Sequence, residues 1–106
     1  MALYVQVVTT TARRGEAETI AKALVGRRLA ACVQIGGPIT SIYRWKGSVE
    51  ASEEWTCTAK TRQDLFSKVE AAIRELHPYE TPEIIAVPIV TGHQAYLDWI
   101  EQETMA

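Results

Sequence analysis

The chain has 106 residues, a formal net charge of −2, 47% hydrophobic and 23% charged residues, which predicts a single globular domain over residues 1–106. The eleven Lys and Arg residues are scattered, which argues against a nucleic-acid or anionic-membrane partner. No apolar run approaches the roughly 18 residues of a membrane span. A strand pattern follows Met1 without a charged leader, so we expect a cytoplasmic protein.

The first two predicted elements are a strand and a helix. Apolar residues alternate over residues 3–9, the period of a strand with one buried face. Over residues 13–28 they recur at a spacing of three and four, which indicates an amphipathic helix. Gly26 suggests that this helix ends nearby.

A long hairpin is predicted next. Residues 29–45 are extended, and Gly36-Gly37-Pro38 indicates a bulge or an edge, which leaves the facing of the later side chains open. Residues 46–52 are expected to form a polar turn and residues 53–60 the return strand. Trp45 and Trp55 lie near the tip, where they either pair across the hairpin or contribute to self-association.

The second half of the chain predicts a helix, a strand and a final helix. Thr61 to Asp64 resembles a capping box before a helix whose apolar residues continue to Leu76. Residues 83–90 are expected to form a strand, in which Pro88 indicates an edge position or an early end. Residues 94–102 are expected to form the last helix.

This order of elements, β-α-β-β-α-β followed by a helix, predicts an α+β protein with the ferredoxin-like split βαβ fold. The helices are expected on one face of an antiparallel sheet, with a long hairpin between the second and third strands. Because the strands carry apolar residues on both faces, we expect the uncovered face to support self-association.

The loop from His77 to Glu83 is the first candidate site. Pro78 and Pro82 hold the residues before them in extended geometry, so the loop is stiff. Polar side chains on a stiff loop between packed elements are typical of functional sites. We therefore expect Tyr79 and Glu83 to take part in binding.

Other possible metal ligands, Cys32, Cys57 and His93, lack the spacing of a recognised metal motif. If the hairpin turns near residue 50, the two cysteines lie roughly 36 Å apart, so no intrachain disulfide is expected. The sequence lacks G-x-S-x-G, H-E-x-x-H and a phosphate-binding glycine loop, so we expect a protein that is not an enzyme.

Five segments resemble the CutA family of divalent-cation tolerance proteins, and together they span residues from about 4 to 101. They are Leu29–Val33, Ser41–Gly47, Glu54 with Lys60-Thr61, the loop His77–Ile84 and the ending Tyr96–Ile100. The resemblance implies a ferredoxin-like fold, a homotrimer built by strand pairing between subunits, and an association with divalent ions such as Cu(II), without an organic cofactor.

The resemblance also implies a ligand, because a histidine at the start of this loop is implicated in copper binding in some members. His77 occupies that position. Thr9 stands where those members carry a cysteine, Leu76 where some carry a second histidine, and Gln34 where the family has asparagine. Cys32 is the second metal candidate, because thiolate and imidazole both favour copper or zinc.

Two functions of different kind follow. The leading hypothesis is a trimeric divalent-cation tolerance or metal-homeostasis protein with His77 and Cys32 as metal candidates. The alternative is a non-catalytic regulatory or scaffold trimer that binds a small molecule or a protein at subunit clefts, and an enzyme of unknown reaction comes third. The candidates for the cleft or the interface are Tyr43, Trp45, Lys60, Tyr79, Glu83 and Trp99.

Overall fold

The computed structural model describes residues 3–104, which form one antiparallel sheet of four strands and three α-helices. The elements are β1 (Tyr4–Thr11), α1 (Arg14–Gly26), β2 (Cys32–Trp45), β3 (Ser48–Arg62), α2 (Phe66–Leu76), β4 (Ile85–Pro88) and α3 (Gln94–Glu103). The predicted α+β fold is confirmed. The two ends of the predicted domain, residues 1–2 and 105–106, lie outside the described residues. No helix in the described part of the chain is long and apolar enough to cross a membrane.

The strand order β2-β3-β1-β4 is that of the split βαβ arrangement. Val7 of β1 lies opposite Ala59 of β3 on one side and Ala86 of β4 on the other. β4 is an edge strand and ends at Pro88, as expected for a residue that cannot donate to the ladder.

The hydrophobic core lies between one face of the sheet and the helices α1 and α2. Its central side chains are Val5, Val7, Ala17, Ile20, Leu24, Cys57, Ala59, Val69 and Ile73. The expected packing of helices on one face therefore holds for α1 and α2. α3 lies against the opposite face, where the Lys60 ammonium is 5.7 Å from the ring centre of Tyr96.

The hairpin between β2 and β3 is longer than predicted, and the predicted polar turn over residues 46–52 is wrong. The turn consists of Lys46 and Gly47, with φ of 48° and 84°, because a two-residue hairpin turn needs both in the left-handed region. Residues 48–52 belong to β3 and pair with residues 41–45.

Because the turn is shorter and lies earlier in the chain than predicted, the two cysteines are closer together than expected. Cys57 lies opposite Ile35, whereas Cys32 lies opposite Lys60. Three residues along the ladder correspond to roughly 10 Å, so the predicted separation of 36 Å is wrong because it assumed a turn near residue 50. Both thiols are free, as expected.

A bulge in β2 reverses the facing of its outer half. Gly36 pairs with Thr56, but the next pair is Ile39 with Glu54, so β2 carries one extra residue. The side chains of Tyr43 and Trp45 consequently lie on the same face of the hairpin as Glu54.

The two tryptophans of the hairpin do not pair across it. Trp55 lies on the core side, with the Arg14 guanidinium 5.4 Å from its ring centre. Trp45 pairs instead with Ser48 beside the turn.

The predicted capping box before α2 is also wrong. Thr61 is part of β3, and its buried hydroxyl donates to the Leu29 carbonyl at 2.6 Å. The N-cap of α2 is Leu65, so Thr61 does not cap this helix. A 3₁₀ turn, Gln63–Leu65, leads into α2 instead.

Candidate functional site

A cleft of about 750 Å³ lies between the outer half of the hairpin and the loop that follows α2. It is lined by Thr10, Ser41, Ile42, Tyr43, Trp45, Glu54, Tyr79, Glu80, Thr81, Pro82 and Glu83. Three aromatic rings and three carboxylates thus share one cavity. The β2 bulge is the cause, because it turns Tyr43 and Trp45 toward the side of Glu54.

A partly buried hydrogen bond joins the two walls of the cleft. The Tyr79 hydroxyl donates to Glu54 Oε2 at 2.7 Å, and Glu54 is only 7% exposed. Burial raises the pKa of Tyr79 above its usual range, and the hydrogen bond to Glu54 and the charge of Glu54 raise it further. Tyr79 therefore remains a protonated donor at physiological pH.

The side chain of His77, the first residue of this loop, is buried, and both of its ring nitrogens form hydrogen bonds. Nδ1 accepts from the Tyr79 backbone N–H at 3.1 Å, so the proton resides on Nε2, which donates to the Thr10 carbonyl at 2.7 Å. Its ring centre is 4.6 Å from that of Tyr79. The neutral imidazole thus fixes the loop against the end of β1.

These bonds bear on the predicted role of His77 as a metal ligand. A metal ion at Nδ1 would have to replace the Tyr79 N–H, so ligation requires a local rearrangement of the loop. Within residues 3–104, no group of three or more His, Cys, Asp or Glu side chains is placed to hold a metal ion. The role of His77 in metal binding stays a prediction.

The rim of the cleft is acidic and exposed. Glu80 and Glu83 line it and are open to solvent. Lys46 at the hairpin turn approaches Glu80, with Nζ 3.9 Å from Oε2, although both side chains are largely solvated and the pair is correspondingly weak. None of the described residues that line the cleft is Lys or Arg.

The structure brings together four of the predicted cleft residues: Tyr43, Trp45, Tyr79 and Glu83. Lys60 lies elsewhere, where its ammonium donates to Gln34 at 2.8 Å. Cys32 is half-buried opposite Lys60, and Trp99 packs against Tyr96 with ring centres 5.4 Å apart.

These three residues mark a second region on the same face of the sheet. Lys60 pairs with Gln6, whereas Thr10 at the cleft pairs with Thr56. Four residues of strand separate the two levels, roughly 13 Å. Cys32 and His77 therefore do not meet within one chain.

Glu54 and Thr10 were absent from the predicted site. In the sequence Glu54 is one of several alternating polar residues of the return strand, a pattern typical of a solvated face. The resemblance had included Glu54 among its motifs, which was the one available signal. Its burial follows from the bulge and from the loop that covers it.

Thr9, which stands where some members of the family carry a cysteine, lies on the core face of the sheet. Thr9 is 1% exposed and lies opposite Cys57 on the core face of the sheet. It therefore faces away from the cleft, whereas its neighbour Thr10 lines it.

Fold and site together define an α+β domain of split βαβ topology whose extended hairpin forms one wall of an acidic, aromatic cleft. The family model described as CutA1 divalent ion tolerance protein matches residues 5–103. The chain therefore belongs to the CutA1 divalent ion tolerance family.

Individual relatives agree with this assignment. The divalent-cation tolerance protein CutA of Thermus thermophilus is 47% identical over 98 residues, which cover 92% of this chain and 95% of that protein. Human protein CutA is 44% identical over 88 residues. Those residues cover 83% of this chain but 49% of the human protein, so the chain spans about half its length.

Solved structures show the same fold. The Thermus thermophilus divalent cation tolerance protein superposes with a TM-score of 0.94 at 45% identity, covering 97% of this chain and 100% of that one. The Archaeoglobus fulgidus structure, described as a periplasmic divalent cation tolerance protein CutA, gives 0.94 at 39% identity with the same coverage.

Proposed function

We propose that the chain forms a homotrimer that serves divalent-cation tolerance by binding Cu(II) or another divalent ion where subunits meet. The outer half of the hairpin carries this proposal. Ile42 and Val49 there are 73% and 65% exposed. Large apolar side chains on an extended pair of strands are normally covered by a partner.

The edge strand β4 supports the same proposal. Ile85 and Val87 are 50% and 41% exposed on the face opposite the core. A four-residue strand at the sheet edge has unpaired backbone groups that another subunit's strand can use. The hairpin and the edge strand are therefore the two surfaces that we propose for contacts between subunits.

The metal part of the proposal is supported by family membership and by donors beside the hairpin. Glu80 and Glu83 present exposed carboxylates at the rim. His77 begins the same loop, and its Nδ1 lone pair is held by one backbone N–H. Imidazole and carboxylate suit Cu(II).

Light scattering tests the oligomer. We expect about three times the chain mass of 11.8 kDa. Ile42→Glu is expected to yield smaller species, because it introduces a charge into the covered surface. Val25→Glu changes an exposed apolar residue on α1 and should leave the trimer intact. A wild-type monomer would overturn the proposal.

Calorimetric titration with Cu(II) tests the ligand. The chain has two histidines, which provide a matched pair of variants. His77→Ala is expected to weaken binding, whereas His93→Ala, at an exposed position before α3, should bind like the wild type. Equal binding by both variants would remove His77 from the site.

The cleft itself favours a second function, in which the trimer binds a small molecule as a non-catalytic regulator. Its volume of about 750 Å³ is in the range of small-molecule sites. Metal-free thermal shifts with a panel of metabolites test this function, and Tyr43→Ala should abolish any stabilisation.

We also propose the cytoplasm as the compartment. Two free thiols, Cys32 and Cys57, are compatible with a reducing environment. Cell fractionation of the native protein tests this, and recovery from the periplasm, as the description of the Archaeoglobus fulgidus protein suggests, would contradict it.

A further inference from the structure

Glu54 is a buried carboxylate with one hydrogen bond. Its Oε2 accepts from the Tyr79 hydroxyl, while no residue within the described range 3–104 donates to Oε1. No Lys, Arg or His side chain of that range forms an ion pair with it. A carboxylate that is 7% exposed is normally matched by a cation or by several donors. Because Glu54 lines the cleft, its open oxygen is available to an occupant.

The cleft walls beside Glu54 also favour a positively charged occupant. Tyr43 and Tyr79 contribute aromatic rings to the cleft, and the negative face of such a ring attracts a cation. The third ring, that of Trp45, already has the Lys46 ammonium 5.6 Å from its centre. Glu80 and Glu83 add negative charge at the exposed rim. Carboxylates alone would suit many cations, but carboxylates beside aromatic rings favour an organic ammonium ion over a compact hydrated metal ion.

We propose that the cleft binds an organic ammonium ion, with an ammonium N–H donating to Glu54 Oε1. A linear diamine or polyamine fits best, because a second charge can lie near Glu83, whereas Glu80 already has Lys46 3.9 Å away. Pro82 supplies apolar surface for the methylene chain between the charges. This inference rests on the second proposed function, ligand binding at the cleft.

Calorimetry with putrescine tests the inference on the metal-free protein in its native oligomeric state. Butanediol and succinate have the same number of carbons and serve as uncharged and anionic counterparts. Putrescine is expected to bind, whereas the diol and succinate are not. Glu54→Gln, which can still accept the Tyr79 hydroxyl, should weaken putrescine binding by about tenfold or more.

A matched variant separates the role of Glu54 from a general loss of charge. Glu53→Gln removes a carboxylate from the adjacent exposed residue, which does not line the cleft, and should bind putrescine like the wild type. Glu83→Gln keeps the test decisive if Glu54→Gln folds poorly. Putrescine should bind the wild type more tightly than butylamine, and Glu83→Gln should reduce this difference in affinity, since the second ammonium loses its partner.

Several results would overturn the inference. They are equal putrescine affinity in the wild type and Glu54→Gln, succinate binding as tight as putrescine, and a wild type that binds no amine while Glu54→Gln dissociates the oligomer. The last result would indicate that the cation that pairs with Glu54 comes from a second copy of the chain. If neutral or anionic metabolites bind and Tyr43→Ala abolishes that binding, the cleft function stands and the ammonium inference fails. If no compound of any charge binds, both fail.

Discussion

The Tyr79 hydroxyl donates a 2.7 Å hydrogen bond to Glu54, which links the loop after α2 to the middle of β3. The backbone N–H of the same tyrosine donates to His77 Nδ1, and His77 Nε2 in turn donates to the Thr10 carbonyl at the end of β1. Three separate elements are therefore joined behind the cleft by one chain of hydrogen bonds. The geometry of the cleft depends on this chain, because each bond fixes a side chain or backbone group that lines it.

Replacing Tyr79 by Phe should destabilise the protein by about 1.5–3 kcal/mol, the range for a hydrogen bond to a charged group. The reason is that the buried Glu54 carboxylate loses its hydroxyl donor without gaining water. Urea unfolding at a fixed protein concentration measures the loss. Tyr43→Phe is the control, because its hydroxyl makes an exposed 3.2 Å contact with Ser52 and its removal should cost less than about 0.5 kcal/mol. Equal losses in the two variants would contradict the assigned role of Glu54.

The ring of His77 should be in the neutral form with the proton on Nε2. This follows because a backbone N–H can only donate a hydrogen bond, so Nδ1 must be the acceptor in its bond with Tyr79. Nitrogen chemical shifts of the imidazole in a labelled sample report the tautomer directly. The exposed His93 provides an internal reference for a solvated ring. A protonated Nδ1 on His77 at neutral pH would show that the loop is held differently.

The order of elements follows from local patterns, and so the fold could be predicted. The period of two over residues 3–9 and the three–four spacing over residues 66–76 each follow from the burial of one face, and both elements are present. Pro88 indicated the end of the edge strand for a backbone reason that does not depend on context.

The site was less predictable, because it depends on register. A single extra residue between Gly36 and Ile39 decides which face Tyr43 and Trp45 occupy, and sequence periodicity does not carry across a bulge. The turn at Lys46-Gly47 was missed because Lys is an uncommon residue at positive φ. Lys60 and Trp99 belong to correctly identified elements, yet the sheet holds them away from the cleft.

Gly37→Ala should destabilise the protein more than Gly47→Ala. Both glycines have positive φ, 145° and 84°, so each alanine introduces backbone strain of about 1–3 kcal/mol. At Gly37 the new Cβ would also lie 2.9 Å from Trp55 Cε3 and 3.1 Å from the Glu54 carbonyl oxygen, whereas at Gly47 nothing lies within 4 Å. Thermal unfolding of both variants tests the difference. Equal shifts in Tm would show that contact with Trp55 does not constrain the bulge.

Stability should fall at alkaline pH because of Cys57. Burial raises the pKa of this thiol from its ordinary value of 9.0 to about 11, so the unfolded chain releases the proton at a lower pH than the folded chain. The favourable contribution is complete below pH 9 and is lost as the pH rises toward 11. At about 1.4 kcal/mol for each pH unit, the free energy of unfolding should decrease by about 2–3 kcal/mol across this window.

Urea unfolding at a series of pH values from 8 to about 11 measures this decrease, and two alanine variants isolate its source. Cys57→Ala should show a shallower decrease than the wild type, because the group that titrates is absent. Cys32→Ala removes a half-exposed thiol and should retain the wild-type slope. Tyr79 also has a raised pKa and acts in the same direction, but it is present in all three proteins and cancels in the comparison. Identical slopes in the three proteins would mean that the Cys57 thiol is not protected from ionisation by the fold.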